Sequence, residues 1–325
     1  MGGFSLRKPE EKWFIYKSAF WVKLIFITGK GLSMSDEIIE FCKKKWEAEE
    51  DDPRVKYFID NKADFYKDLT GKMKDLIDSF LKDFDYYSHK SVNIEYKQLH
   101  YHLLKAYGID ICNSIITVLK SQDNTYNSSY YTVGEYMIIN NISEDLVYPD
   151  IRDCFDILLW EVAENVIFID DFCGTGDTFC DYVNIIKSDL GNKKVFYIVV
   201  HAMQQGIDRI KEFCDINSIN IQVICNHISE PVFCNNDYKS YKAEFERMSK
   251  ERNIYKKYIF GYKHSEALVA FYRNTPNNTL GIFWYDSDKN KSIFPRKNNK
   301  SVPRLMKEKR KQKEASNYVC SQKSR

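Results

Sequence analysis

The sequence predicts an α/β fold, in which a parallel, doubly wound sheet follows a mainly helical N-terminal region and precedes a basic C-terminal tail. Three short apolar runs predict the strands: Val166–Ile169, Val195–Val200 and Ile219–Cys225. Two stretches with an apolar stripe at helical spacing, Asp177–Leu190 and Gly206–Asp215, separate these runs. Continuous apolar strands that alternate with helices are typical of a parallel sheet covered on both faces.

The chain divides into four predicted parts. Residues 1–33 are an extension or a misassigned start, and residues 34–120 form the helical region, which is either a cap on the sheet or a winged-helix-like unit. Residues 121–296 hold the sheet domain, and residues 297–325 are a basic, disordered tail. From Arg296 onward, eleven lysines and arginines stand against two glutamates. Such a segment is either solvated chain or a binding segment for nucleic acid phosphates.

Local patterns predict the remaining elements. Between residues 34 and 120 we expect short helices, one of them ended by Gly108 and the last at Asp110–Lys120. Ser121–Asn141 is expected to be a polar loop followed by a strand, because Tyr, Val and Ile are frequent in its second half. Two further helices are expected at Ile151–Asn165 and Lys239–Glu251, and a strand at Thr279–Trp284.

Composition argues against several classes of protein. The nine cysteines include no C-x-x-C pair, which favours reduced thiols over a disulfide framework or a zinc site. The apolar run Ala19–Thr28 contains Lys23 and is shorter than the ~20 residues that span a membrane. We therefore predict a cytoplasmic protein without a membrane partner.

The candidate site is Val166–Phe179, VIFIDDFCGTGDTF, where two carboxylates directly follow an apolar strand. In a doubly wound sheet, ligands bind beyond the carboxyl ends of the strands. Glycines let the next loop turn its backbone amides inward, and the helix that begins near Asp177 directs its positive end to the same place. Amides for a phosphate beside carboxylates for vicinal hydroxyls suit a ribose 5-phosphate group.

This stretch resembles the diphosphoribose-binding motif of type I phosphoribosyltransferases. The resemblance implies that Asp170 and Asp171 contact ribose hydroxyls as the catalytic acids, and that the pair is a candidate ligand set for Mg²⁺. It implies that the loop after them holds the 5-phosphate. The sequence departs from the family pattern at Gly174, where purine-salvage members carry an acid, and at Asp177, a carboxylate beside the phosphate. The implied phosphate-binding residues are Cys173, Gly174, Thr175, Gly176, Asp177 and Thr178.

Three segments together resemble the phosphoribosyltransferase-like proteins of bacterial conflict systems, as found beside retron reverse transcriptases. They are NSSYY at Asn127–Tyr131, FIDDFCGTGDT at Phe168–Thr178 and FYRNTPNNTLGIFW at Phe271–Trp284. The resemblance implies an effector of antiphage defence that binds phosphoribosyl diphosphate (PRPP) or a nucleotide. Its implied macromolecular partner is a reverse transcriptase with its RNA or DNA, and the basic tail Arg296–Arg325 is where nucleic acid would bind.

Further polar residues are candidate substrate contacts, and each has a structural alternative. The alternatives are a surface loop for the serines, a hydrogen-bonded structural histidine, and an Asn/Pro turn for the last four residues. The acid pair itself has two alternatives, solvated acids at a strand end or a metal-holding pair. The candidates are Ser128, Ser129, His201, Arg273, Asn274, Asn277 and Asn278.

Two functional hypotheses stay open. In the first, the protein is an enzyme that transfers the pentosyl group of PRPP or cleaves a nucleotide, through an oxocarbenium-like transition state. In the second, the same pocket senses a nucleotide without turnover, and the helical region and tail engage nucleic acid or partner proteins. The lack of a convincing pyrophosphate loop upstream favours the second hypothesis, while the acid pair and loop fit both.

Overall fold

The computed structural model describes residues 34–49, 51–120, 128–155 and 157–296. The predicted extension and the tail 297–325 lie outside these residues. The helices are α1 (Met34–Trp46), α2 (Pro53–Tyr66), α3 (Gly71–Asp83), α4 (His89–Ala106), α5 (Ser128–Ile139), α6 (Leu158–Val162), α7 (Asp177–Leu190), α8 (Gln204–Ile216), α9 (Asn236–Lys239) and α10 (Lys242–Glu251). The strands are β1 (Asp85–Tyr87), β2 (Ser114–Thr117), β3 (Val147–Tyr148), β4 (Asn165–Cys173), β5 (Lys194–Met203), β6 (Ile221–Ser229) and β7 (Val269–Phe271).

A parallel five-stranded sheet in the order β3-β2-β4-β5-β6 lies at the centre of the fold. Alternate residues of β4 are buried on opposite faces because side chains alternate along a strand. Val166 and Phe168 pack with α7 and α8, whereas Ile167 and Ile169 pack with α4 and α5. The predicted doubly wound sheet and the helical N-terminal region are both confirmed.

The first three helices do not cover this sheet. They share a core with the C-terminal part of the chain, where the rings of Phe80 and Phe233 lie 5.6 Å apart and those of Phe84 and Phe283 lie 5.1 Å apart. Strand β1 pairs in parallel with β7, so the chain segments on either side of the large sheet are also joined by hydrogen bonds. Helix α4 is the part of the N-terminal region that packs on the sheet.

Several local predictions are wrong. Asp110–Lys120 contains strand β2 instead of a helix, because Ile115 and Ile116 are buried on opposite faces of the sheet and pair with β4. The second half of Ser121–Asn141 is helix α5, and residues 121–127 lie outside the described residues. Its buried Ser129, Thr132, Val133 and Tyr136 follow helical spacing, which outweighs the strand propensity of its side chains.

Two further predictions also fail: the helix at Ile151–Asn165 is shorter than predicted, and the strand at Thr279–Trp284 does not form. Ile151–Asn165 contains a 3₁₀ turn at Ile151–Cys154 and the short helix α6. Thr279–Trp284 contains a 3₁₀ turn at Gly281–Phe283, closed by a hydrogen bond from the indole of Trp284 to the carbonyl of Thr279. Gly108 follows the end of α4 with φ +63°, as predicted for a helix terminator. No helix of the described ranges is long and apolar enough to cross a bilayer.

Candidate functional site

The two acids lie at the carboxyl end of β4, the central strand of the sheet. Asp170 is opposite Val199 of β5, and the strand continues to Cys173 before the loop begins. The two carboxyl groups share a hydrogen bond, and the hydroxyl of Tyr197 on β5 bonds to Asp170. The strand therefore fixes both acids next to each other, directly before the glycine loop.

The surroundings act differently on the two acids. Asp170 is only 7% exposed, and burial together with the charge of Asp171 raises its pKa well above the ordinary range. Burial also raises the pKa of Asp171, but hydrogen bonds from Asp170 and Ser128 and the charge of Arg273 oppose that rise. Because the two carboxyl groups are hydrogen bonded, they titrate as a pair. Burial favours the neutral form of Asp170, whereas Ser128 and Arg273 favour the ionised form of Asp171.

The loop between β4 and α7 lies tightly against the start of α8. Gly176 has φ +73°, and a Cβ there would lie 2.7 Å from the carbonyl oxygen of Gly206. A Cβ on Gly206 would in turn lie 2.8 Å from the carbonyl oxygen of Gly174. A Cβ on Gly174 would meet the side chain of Asn278 at 2.2 Å. Glycine is thus required where the loop turns and where its backbone meets other chain segments.

The amides of this loop remain available to a ligand. Within the described ranges, no backbone carbonyl accepts a hydrogen bond from the amides of Gly174, Thr175, Asp177 or Thr178. The amide of Gly176 donates to the sulfur of Cys173 instead. Because α7 begins here with Gly176 as its N-cap, the positive end of its dipole lies at the same place. The arrangement suits an anion such as a phosphate.

Asp177, the first residue of α7, places a carboxylate at this loop. Its oxygens accept a hydrogen bond from the hydroxyl of Thr175 at 2.7 Å and pair with Lys263 at 2.7 Å and Arg209 at 2.9 Å. Burial acts to raise the pKa of Asp177, but these partners outweigh it and lower the pKa below the ordinary value. The loop therefore already holds an internal anion with two cations around it.

Two of the other predicted contacts lie at the acid pair. Ser128, the first residue of α5, hydrogen bonds to Asp171, and Arg273 is close enough for its charge to lower the pKa of Asp171. Arg273 also pairs with Glu135 of α5. The structure thus brings these two residues to the acid pair, and their contact with a substrate stays a prediction.

Ser129 and His201 instead hold strands together. The hydroxyl of Ser129 accepts from the amide of Leu119 and donates to the carbonyl of Ile169, both at 2.9 Å. The ring nitrogens of His201 bond to the hydroxyls of Tyr87 at 3.0 Å and Ser229 at 2.8 Å. His201 is 1% exposed, and burial lowers its pKa to about 4, so its ring is neutral at physiological pH.

The three asparagines belong to a turn that covers the loop. The side chain of Asn274 accepts from the amide of Thr275 at 3.0 Å, and the carbonyl of Asn277 accepts from Tyr262 at 2.8 Å. Asn278 bonds through its carbonyl to the amide of Ala267, while its side chain lies over Gly174. Of the three, Asn278 is in contact with the predicted phosphate loop.

Sequence reasoning missed four residues of the site: Tyr197, Arg209, Lys263 and Arg296. A lone hydroxyl inside the apolar run VFYIVV was a usable signal for Tyr197, because buried hydroxyls require partners. Arg296, placed in the tail by sequence, donates to the carbonyl of Thr275 at 2.9 Å, and the charge of Asp171 acts to raise its pKa. Arg209 and Lys263 carried no signal, since only the fold brings them to Asp177.

Comparison with known proteins finds one matching family and several similar solved structures. A family model described as PRTase-CE matches residues 55–296. Among solved structures, the chain is similar to a xanthine-guanine-hypoxanthine phosphoribosyltransferase of Helicobacter pylori, with 11% identity over 49% of this chain and 96% of that one and a TM-score of 0.28. It is also similar to an orotate phosphoribosyltransferase of Aeropyrum pernix, with 8% identity over 43% and 71% of the two chains and a TM-score of 0.28. No curated protein matches the chain.

Proposed function

Because this chain belongs to the PRTase-CE family, we propose that its phosphoribosyltransferase-like domain binds a ribose 5-phosphate group, in PRPP or in a nucleotide, and acts on it. The observation that most supports the proposal is the hydrogen-bonded pair of Asp170 and Asp171 at the end of β4, followed by a loop in which the amides of Gly174, Thr175, Asp177 and Thr178 donate to no backbone carbonyl of the described residues. Such a pair offers carboxyl acceptors to sugar hydroxyls, and the hydrogen bond between the two groups limits their mutual repulsion.

Each part of the motif has a proposed role. Asp171 accepts hydrogen bonds from the ribose hydroxyls, and its charge stabilises the positive charge that develops on an oxocarbenium-like ring. The amides of Gly174, Thr175 and Thr178 hold the 5-phosphate at the start of α7. The reaction would be pentosyl transfer from PRPP or cleavage of the glycosidic bond of a nucleotide.

Mg²⁺ is the proposed companion of a diphosphate substrate. The described residues contain no cluster of three His, Cys, Asp or Glu side chains that would hold a metal ion. The acid pair fits a hard cation, because its ligands are oxygens and Mg²⁺ commonly takes one or two carboxylates and completes its shell with water and phosphate. Asp171 would supply the protein ligand, and the ion would neutralise charge on the diphosphate.

The test is to incubate the protein with labelled PRPP and a nucleotide pool, with Mg²⁺ and with EDTA. Release of pyrophosphate or free base by the natural protein, abolished in Asp171→Asn, is the expected result. A matched control is Asp181→Asn, which removes an exposed carboxylate from α7. Product formation that persists unchanged in Asp171→Asn would refute the assigned role.

A second candidate is a nucleotide-binding module without turnover. One observation favours it: Asp177 already pairs with the two cations beside the loop, Lys263 and Arg209. Saturable binding of a nucleotide without any product, in the same experiment, would support this candidate over the enzyme.

The proposed biological role is that of an effector in a retron-type antiphage defence system, with a reverse transcriptase and its nucleic acid as partners. This rests on the resemblance of the segments that contain Asp170 and Arg273 and on the basic composition of residues 297–325. The test compares phage plating on cells that carry the gene with its neighbours and on cells that carry Asp171→Asn. Equal plating in both would argue against the role.

A further inference from the structure

A cavity lies away from the acid pair. It has a volume of about 490 Å³ and lies between the start of α2, the start of α4 and the segment Ile293–Pro295. Its wall includes the cationic side chains of Arg54 of α2 and Lys90 of α4, together with the imidazole of His89. The rings of Tyr57 and Tyr272 also line it. A volume of this size accommodates a small-molecule ligand.

Arg54 is a buried cation whose hydrogen-bonding capacity is only partly used. It is 7% exposed, its Nη2 donates to the hydroxyl of Thr275 at 2.6 Å, and its Nε is buried without a partner. Burial lowers its pKa to about 10, which leaves it charged at physiological pH. No carboxylate of the described residues lies within ion-pair distance of Arg54, although the charge of Asp52 partly opposes the fall in its pKa. A buried charge without an ion-pair partner is unfavourable.

The guanidinium groups of Arg54 and Arg296 both donate hydrogen bonds to Thr275. Arg296 donates to the carbonyl of Thr275 at 2.9 Å and, like Arg54, forms no ion pair within the described ranges. Its charge lowers the pKa of Arg54, so the two cations are close enough to repel each other. An anion between or beside them would relieve both the repulsion and the desolvation.

The carboxylates that line this cavity do not form an ion pair with either guanidinium group. Asp52 is committed to the start of α2, where it accepts hydrogen bonds from the amides of Arg54 and Val55 and from the hydroxyl of Tyr86. Glu49 and Asp51 are exposed at the rim. Their charges disfavour a ligand with many negative charges, and so favour a compact ligand with a single phosphate.

We propose that this cavity is a second ligand site, which binds a phosphomonoester of mononucleotide size with its phosphate on Arg54 and Lys90. The two tyrosine rings provide surfaces for the planar part of the ligand. The site is separate from the β4–α7 loop and does not require that loop to bind or turn over ribose phosphates.

The experiment measures binding of AMP and of adenosine to the full chain by calorimetry, with hydrogen exchange to locate the ligand. We expect AMP to bind and to protect residues 53–57 and 88–91, and adenosine to bind at least tenfold more weakly. Arg54→Gln should weaken AMP binding at least tenfold, because a charged hydrogen bond to the phosphate is lost. Since Arg54 is buried, the exposed Lys90→Glu serves as a second variant and should weaken binding to a similar extent.

Two control variants separate this site from the other. Lys56→Gln removes an exposed positive charge from the same helix outside the cavity, and Asp171→Asn removes the charged acid of the β4 site. Both variants should leave the hydrogen-exchange protection of residues 53–57 by AMP unchanged. The proposal is overturned if AMP does not bind, if its binding is unaffected by Lys90→Glu, or if the protection appears only around residues 174–178.

Discussion

The ammonium nitrogen of Lys263 lies 2.7 Å from a carboxylate oxygen of Asp177, the first residue of α7. Lys263 and its neighbour His264 have φ values of +50° and +58°, a conformation that residues other than glycine seldom adopt. The contact therefore holds a strained segment against the loop in which we place the phosphate. An incoming phosphate and Asp177 would compete for the same cation.

Replacement of Asp177 tests this competition. In Asp177→Asn, Lys263 and Arg209 lose their carboxylate partner and become available to a ligand. We expect ribose 5-phosphate to bind at least about tenfold more tightly, as measured by calorimetry at low salt, because a charged hydrogen bond contributes about 1.5–3 kcal/mol. Asp181→Asn on the same helix should change the affinity little. Weaker binding in Asp177→Asn would mean that Asp177 itself orders the ligand site.

The two acids should respond differently to the same substitution. An asparagine at position 170 can still donate a hydrogen bond to Asp171, so Asp170→Asn should lower ribose 5-phosphate affinity less than about fivefold. An asparagine at position 171 removes the acid whose ionised form Ser128 and Arg273 favour, and should lower affinity about tenfold to a hundredfold. Titration calorimetry on both variants checks the order. Equal losses would show that the proton is not localised on Asp170.

The loop should tolerate no side chain at Gly176. The substitution Gly176→Ala places a methyl group near the carbonyl of Gly206 and requires a positive φ from alanine. We expect the free energy of unfolding to fall by at least about 2 kcal/mol. Gly134→Ala in α5 is the matched control, since nothing lies within 4 Å of its Cβ position, and it should stabilise by about 0.5–1 kcal/mol. Denaturant unfolding of both variants gives the comparison.

His201 should make stability depend on pH in the acid range. Its pKa is about 4 when folded, below the usual 6.5, so between these values the unfolded chain binds more protons than the folded chain. The contribution of His201 to the free energy of unfolding is therefore complete above pH 6.5. It is lost as the pH falls toward 4, which lowers the free energy of unfolding by up to about 3 kcal/mol. His201→Gln should remove this part of the slope in urea titrations. The pKa of His227 is raised by Glu95 against the effect of burial, so its contribution has the opposite sign and stays in both proteins.

The sequence predicts the alternating strands and helices of the sheet. It does not predict the elements whose conformation depends on contacts with distant parts of the chain. The run Val166–Ile169 and helix Asp177–Leu190 carry their own periodicity, and both form as predicted. The sequence predicts a helix at strand β2, because its four residues are all buried and show no alternation between buried and exposed positions. It predicts a strand at helix α5, because Tyr and Val favour strands, although the buried positions follow helical spacing.

The residues of the candidate site likewise form two groups, one contiguous in sequence and one that only the fold brings together. Asp170, Asp171 and the glycine loop are contiguous in sequence, so their proximity could be predicted. Lys263 is remote from Asp177 along the chain, and no local pattern could show that it supplies the cation. His201 occupies the predicted strand end, but the bonds from Tyr87 and Ser229 that immobilise it come from β1 and β6 and were not readable from the sequence.

The core shared by α1–α3 and the C-terminal segment also affects synthesis. Phe80 leaves the ribosome about 150 residues before Phe233, the ring it contacts in the finished protein. At translation rates of about 5–20 residues per second, the apolar side of α3 stays uncovered for roughly 8–30 seconds. Nascent chains of this protein are thus expected to depend on chaperones that bind exposed apolar segments, and shortened products that stop before residue 230 are expected to aggregate.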